Sequence, residues 1–176
     1  ATMINKALEI VDRYVGTGSI LEIRGEESHS GSHSEYSKWW RYAGGGSLAR
    51  LAAHPIGLGL FLKHYEGGKK TGRPILPVEV LADGVDLTKT PAFASAKGSP
   101  LVTGWKDVET WAQVTVTFSD GSRGIFYGTD DLLGGMEGNV DIRLTNARLK
   151  LDIVPARLCQ FYTIDPAPVQ DVYFNE

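Results

Sequence analysis

The chain has a single cysteine among its 176 residues, and it lacks any apolar run of the roughly 18 residues that a membrane-spanning helix needs. One thiol cannot close an internal disulfide, which excludes a disulfide-framed scaffold. Cys159, flanked by Leu158 and Phe161, therefore reads as a small core hydrophobe in a reducing, cytoplasmic protein. The opening Ala1-Thr2-Met3-Ile4-Asn5-Lys6 lacks the charged and apolar regions of a signal peptide, and reads as the beginning of a fragment. Positive charge is scarce as well. Eighteen Lys and Arg stand against 21 Asp and Glu, for a net charge of -3, and no basic tract gathers them, which argues against a nucleic-acid partner.

What is present suits one folded domain. The apolar fraction is 42%, with 21 glycines and 8 prolines, and the length is enough to bury a sizeable core. Ile4, Ala7, Leu8, Ile10, Val11 and Tyr14 recur at helical spacing, with Thr2 or Asn5 as caps, and Gly16 and Gly18 stop the run. Ser19 to Arg24 alternates like a strand and leads into a polar segment, Gly25 to Ser37, which carries His29 and His33. Ile75 to Ala82 predicts another strand, and the turn-rich stretch Asp83 to Gly104 an excursion on the surface. From Trp111 onward the pattern is a meander. Ala112, Val114, Val116 and Phe118 alternate with polar residues, Ser119-Asp120-Gly121-Ser122 is a hairpin turn, and strands follow over Arg123–Gly128, Val140–Leu144, Leu149–Ile153 and Leu158–Ile164. The expected class is α+β: an open, mainly antiparallel sheet of about six strands with helices on one face.

The stretch Trp39-Trp40-Arg41-Tyr42-Ala43-Gly44-Gly45-Gly46-Ser47 precedes a helical pattern and reads as a wall of an active site. Three consecutive glycines imply positive φ or a close backbone approach. Ser47 is placed to cap the helix. Leu51, Ala52, Ile56, Leu58, Leu60, Phe61 and Leu62 fit near one face, while Arg50 and His54, four residues apart, share another. Pro55 predicts a kink or a fresh helix start. A loop rich in Gly and Lys is expected over Tyr65 to Pro74.

Each candidate has a plain structural alternative. His54 suits acid–base chemistry because its ordinary pKa lies near neutrality, but a lone histidine in an apolar run is commonly a satisfied core residue. His29, His33 and His54 could ligate zinc, yet no helical pattern secures the spacing of the first two. A sugar-binding surface of hydroxyls, imidazoles and the faces of Trp39 and Trp40 is a better reading of that loop than a metal site, with a solvated loop and two core tryptophans as its structural alternative. Asp130 and Asp131 could reach the same pocket from a strand end, although adjacent carboxylates usually diverge into solvent. Neither Gly16-Thr17-Gly18 nor the glycine triplet has the context of a dinucleotide or phosphate loop.

The run Gly44-Gly45-Gly46-Ser47-Leu48-Ala49-Arg50-Leu51-Ala52-Ala53-His54-Pro55-Ile56 resembles the glycine-rich, histidine-ending motif in the C-terminal domain of the glucose-fructose oxidoreductase / inositol dehydrogenase (Gfo/Idh/MocA) family. The entry Gly18 to Gly25, the hairpin Phe118 to Gly124 and the strand pair Val140 to Leu151 are similar to that domain too. The resemblance implies a domain, residues 1–176, that binds substrate and assembles oligomers through its open sheet face. It further implies that NAD or NADP is held mainly by a separate N-terminal Rossmann domain, and that the family's final helices are absent here. The implied reaction is oxidation of a secondary hydroxyl of a sugar, sugar acid or cyclitol. His54 matches the family histidine as the catalytic residue, and Arg50, His29, His33, Trp40 and Arg41 would line the substrate pocket. Arg50 stands where the family has an aspartate, which leaves a catalytically silent carbohydrate-binding or regulatory module as the alternative.

Overall fold

The computed structural model describes residues 2–16, 18–154, 159–163 and 167–169. Helix α1 (Thr2–Val15) buries Ala7, Ile10, Val11 and Tyr14 of the stripe its spacing predicts, and Val15 beyond it, while Leu8 is exposed and the side chain of Ile4 lies outside the described residues. Strand β1 (Ile20–Ser28) follows. It runs four residues beyond Arg24, into the segment expected to be loop, because it is a central strand whose polar end is still paired on both sides. After a short helix α2 (Trp40–Ala43), a π-turn (Leu48–Ala52) passes into the long helix α3 (Ala53–Thr71). The remaining strands are β2 (Pro77–Val85), β3 (Trp111–Phe118), β4 (Arg123–Thr129), β5 (Glu137–Leu144), β6 (Ala147–Val154) and β7 (Cys159–Thr163). A four-residue helix, α4 (Pro91–Ala94), lies in the excursion between β2 and β3.

These seven strands form one sheet in the order β2-β3-β4-β1-β5-β6-β7. Only β1 and β4 pair in parallel, so the sheet is mainly antiparallel, with α1 and α3 packed on one face. The core lies between them, built from Ile23, Val114, Val116, Phe118, Phe126, Val140, Ile142 and the inward stripe of α1. The Asp120-Gly121 hairpin forms as expected, with Gly121 at φ 85°. The strand expected over 158–164 is seen as β7; Leu158 and Ile164 lie outside the described residues.

Several expectations are corrected. The inward face of α3 is Pro55, Gly59, Leu62, Lys63, Glu66 and Gly67, while Leu60 and Phe61 are exposed. Glycine decides this: a Cβ on Gly59 would stand 2.3 Å from the Phe126 ring, so the helix can approach the sheet only along its glycine edge. The same packing carries α3 through the expected loop to Thr71, where Gly72 terminates it at φ 71°. Lys63, fully buried, donates to the Ile20 carbonyl (3.1 Å) and to Glu66 and Asp120 (2.7 Å), tying α3 to β1 and to the hairpin. Burial opposes the charge on Asp120, but hydrogen bonds from Lys63 and Ser122 hold its pKa below the ordinary value. The excursion between β2 and β3 is more than a surface loop, since Val102, Trp105 and Val108 make a small core of their own. Cys159 is exposed rather than buried, at the start of the edge strand β7. No helix among the described residues is long and apolar enough to cross a membrane.

Candidate active site

The sheet has one busy end. The carboxyl ends of β1, β2 and β4 and the starts of β3 and β5 all lie there, as the pairing of Ser28 with Thr129 and Glu137, and of Trp111 with Val85 and Thr129, requires. Residues 29–47, 86–110 and 130–136 converge on it, and the π-turn presents Arg50 and the start of α3 presents His54 to it.

The glycine triplet builds the entry. Gly44 (φ 76°) ends α2 in the left-handed region, Gly45 has φ 146°, and Gly46 approaches Glu109 so closely that a Cβ would lie 2.1 Å from its carbonyl oxygen. Glu109 is also what starts the helix. Its carbonyl accepts from Ser47 N–H (3.0 Å) and its carboxylate from Leu48 N–H (2.9 Å), the task expected of Ser47. Ser47 is itself helical, with φ -60° and ψ -30°, and its hydroxyl makes no cap. Pro55 falls in the first turn of α3 directly after the π-turn, where its missing N–H costs little, so the predicted fresh start precedes His54 by one residue.

Arg50 and His54 meet different carboxylates. The Arg50 guanidinium, 17% exposed, is ion-paired with Asp130, whose side chain is fully buried. It also lies 5.5 Å from the centroid of the Trp105 ring, so the excursion's small core roofs the pair. His29 Nδ1 is 3.4 Å from the other Asp130 oxygen and accepts from Gly31 N–H at 3.0 Å. Burial raises the Asp130 pKa, opposed by the charges of Arg50 and His29. Asp131 turns away to accept from Thr110 Oγ1, and burial pushes its pKa up to about 6. The two aspartates thus diverge as expected, but inward rather than into solvent.

His54 is 67% exposed, and its Nδ1 lies 2.7 Å from Glu27 Oε2 on β1. Nε2 has no partner among the described residues. Beside this pair is a cleft of about 110 Å³ walled by Pro55, Leu58, Val140, Ile153, Gly138 and Asn139. A larger groove of about 380 Å³ lies over β2 and β3, lined by Trp40, the glycine turn, Leu48, Ala49 and Glu109. The two are about three strand spacings apart, roughly 14 Å, with the π-turn between them. The structure therefore brings His29 to Arg50, sets His54 apart with Glu27, and puts Trp40, 60% exposed, in the second groove. Arg41 is exposed and stacks on Trp39 and Tyr42, and His33 is exposed on the loop after β1. No group of three or more potential ligands among the described residues could hold a metal.

Gly18 is not set in a dinucleotide cradle. Gly18 leads into a strand rather than a helix, and a Cβ there would stand 2.1 Å from the Asn146 side chain, so no room is left for a pyrophosphate.

No protein-family model matches this sequence, and no curated protein does. Solved structures do. An oxidoreductase domain protein from Kribbella flavida is similar over 94% of this chain and 41% of its own, at 22% identity and a TM-score of 0.66. GenD2 from gentamicin A biosynthesis, in complex with NAD, is similar over 86% of this chain and 37% of its own, at 22% identity and a TM-score of 0.62. Levoglucosan dehydrogenase in complex with NADH and L-sorbose is similar over 92% of this chain and 44% of its own, at 17% identity and a TM-score of 0.57. This chain thus spans less than half the length of each. The chain has the fold of the C-terminal domain of Gfo/Idh/MocA-type oxidoreductases.

Proposed function

We propose that the chain is the substrate-side domain of an NAD(P)-dependent oxidoreductase acting on a secondary hydroxyl of a sugar, sugar acid or cyclitol. The observation that carries this reading is His54: an exposed imidazole, fixed through Nδ1 and open at Nε2, at the mouth of a cleft, in a fold shared with structures bound to NAD and NADH. Its contribution is the proton. In the oxidation direction Nε2 accepts the proton of the substrate hydroxyl, and in reduction it returns one. The nucleotide, NAD or NADP, is held outside this chain.

Trp40, in the second groove, stands more than one sugar ring away from His54, so its apolar ring face, with the exposed Arg41 and His33, suits a more distant part of the substrate. Arg50 and His29 are engaged with Asp130, and support the wall on which the substrate rests. The open face of the sheet, with Trp111, Ile125 and Tyr127 half-buried and Leu81 and Val85 exposed, suits pairing with a second subunit. The lone thiol of Cys159 suits the cytoplasm.

The test is reduction of NAD and of NADP by the full-length protein against a panel of sugars, cyclitols and sugar acids. Turnover of at least one substrate is expected. Binding of a sugar without turnover on any substrate would contradict the dehydrogenase reading and leave the silent binding module.

A further inference from the structure

We propose that Glu27 is the positioning residue for His54, fixing its tautomer and so presenting an unprotonated Nε2 to the substrate. The inference rests on the reading of His54 as the acid–base group. A carboxylate can only accept a hydrogen bond, so at 2.7 Å from Glu27 Oε2 the neutral imidazole carries its proton on Nδ1. Nε2 then holds the lone pair. When a hydroxyl proton moves to Nε2, the O–H bond breaks, an N–H bond forms, and the imidazolium is stabilised by the charge on Glu27.

The surroundings fix both partners. Glu27 stands on β1 opposite Gly128 of β4 and Gly138 of β5, so no side chain crowds it from either neighbouring strand. A Cβ on Gly128 would lie 2.9 Å from Ala52 N, which shows how closely the π-turn rides on the sheet here. One residue beyond His54, Pro55 lies against Gly25, where a Cβ would stand 2.6 Å from its ring. The imidazole thus hangs between a strand and a locked first helical turn. Of the nearby carboxylates, Glu26 accepts from Ser28 and Asn139, Asp130 from Arg50, and Asp131 from Thr110.

The experiment reads the His54 tautomer by NMR of imidazole nitrogens in the full-length protein, with the ring neutral, for the wild type, Glu27→Leu and Glu27→Asp. The wild type is expected to be mainly the Nδ1–H form. Both variants should shift toward Nε2–H, leucine because it has no acceptor and aspartate because its shorter arm cannot span the contact. Glu27→Leu should also lower kcat about 100-fold with KM for the sugar within about twofold, as loss of an orienting carboxylate does. A wild-type Nε2–H tautomer, or one unchanged in Glu27→Leu, overturns the proposal. Because the tautomer is read without substrate, a wild type lacking turnover would count against the dehydrogenase reading alone.

Discussion

Arg50 and His54 stand four residues apart on one helical segment, and each meets a carboxylate, one just past the end of β4 and one on β1, yet the two pairs are different objects. Arg50 faces Asp130 under a roof made by Trp105, with the aspartate removed from water altogether. His54 faces Glu27 with two-thirds of its ring in solvent. Taking charges out of water makes each partner depend on the other, so the buried pair is architecture. In the second pair Glu27 is only 19% exposed, but the imidazole is open to water, which screens the charges from that side, so less stability is at stake and a proton can come and go. The same spacing on the helix thus serves construction at one position and chemistry at the other, and burial makes the distinction.

That contrast can be broken most forcefully at the buried pair. Arg50→Ala would leave Asp130 as an uncompensated buried charge and should cost about 3 kcal/mol. For a chain of this length that is a fall in Tm of roughly 10 °C, measurable by thermal unfolding near neutral pH. A change of only a degree would place Arg50–Asp130 in the same class as the second pair. A smaller effect is expected next door at Asp131, whose folded pKa of about 6 lies above its ordinary value of 3.8. For such a group the stabilisation is complete below the unfolded pKa and is lost as pH rises from about 4 through about 6. Asp131→Asn should therefore raise Tm by a few degrees at pH 7.5 and leave it nearly unchanged at pH 4. The smallest effect belongs to Glu27→Gln, whose stability should change by less than about 1 kcal/mol. Thermal unfolding of Glu27→Gln beside Arg50→Ala sharpens the comparison directly.

Much of the fold was legible because it is written locally. The stripe of α1, the alternation of β3 and the Asp120-Gly121 turn each depend on residues near in sequence, and the structure has all three. The glycine triplet was legible too, with two positive φ values and one close approach to Glu109. What escaped depends on approach between distant segments. The inward face of α3 runs through Gly59 and Gly67, which carry no hydrophobic signal, so the apolar pattern points to Leu60 and Phe61 instead, which are exposed. Glu109 replaced Ser47 at the helix start from 61 residues away. Glu27 is not legible in the sequence because its signal is cross-strand: a carboxylate facing glycines on both neighbours, which depends on the register of β4, β1 and β5. Likewise the burial of Asp130 depends on Trp105, in a stretch whose prolines and glycines read as surface.

The central claim is that His54 carries the proton chemistry while its neighbour four residues earlier carries structure. The most direct test is the single-turnover rate of hydroxyl oxidation by full-length His54→Asn against the wild type, with thermal unfolding of the same samples. The account predicts a rate lower by about 100-fold or more with Tm within roughly 2 °C. An undiminished rate in a folded variant would contradict it.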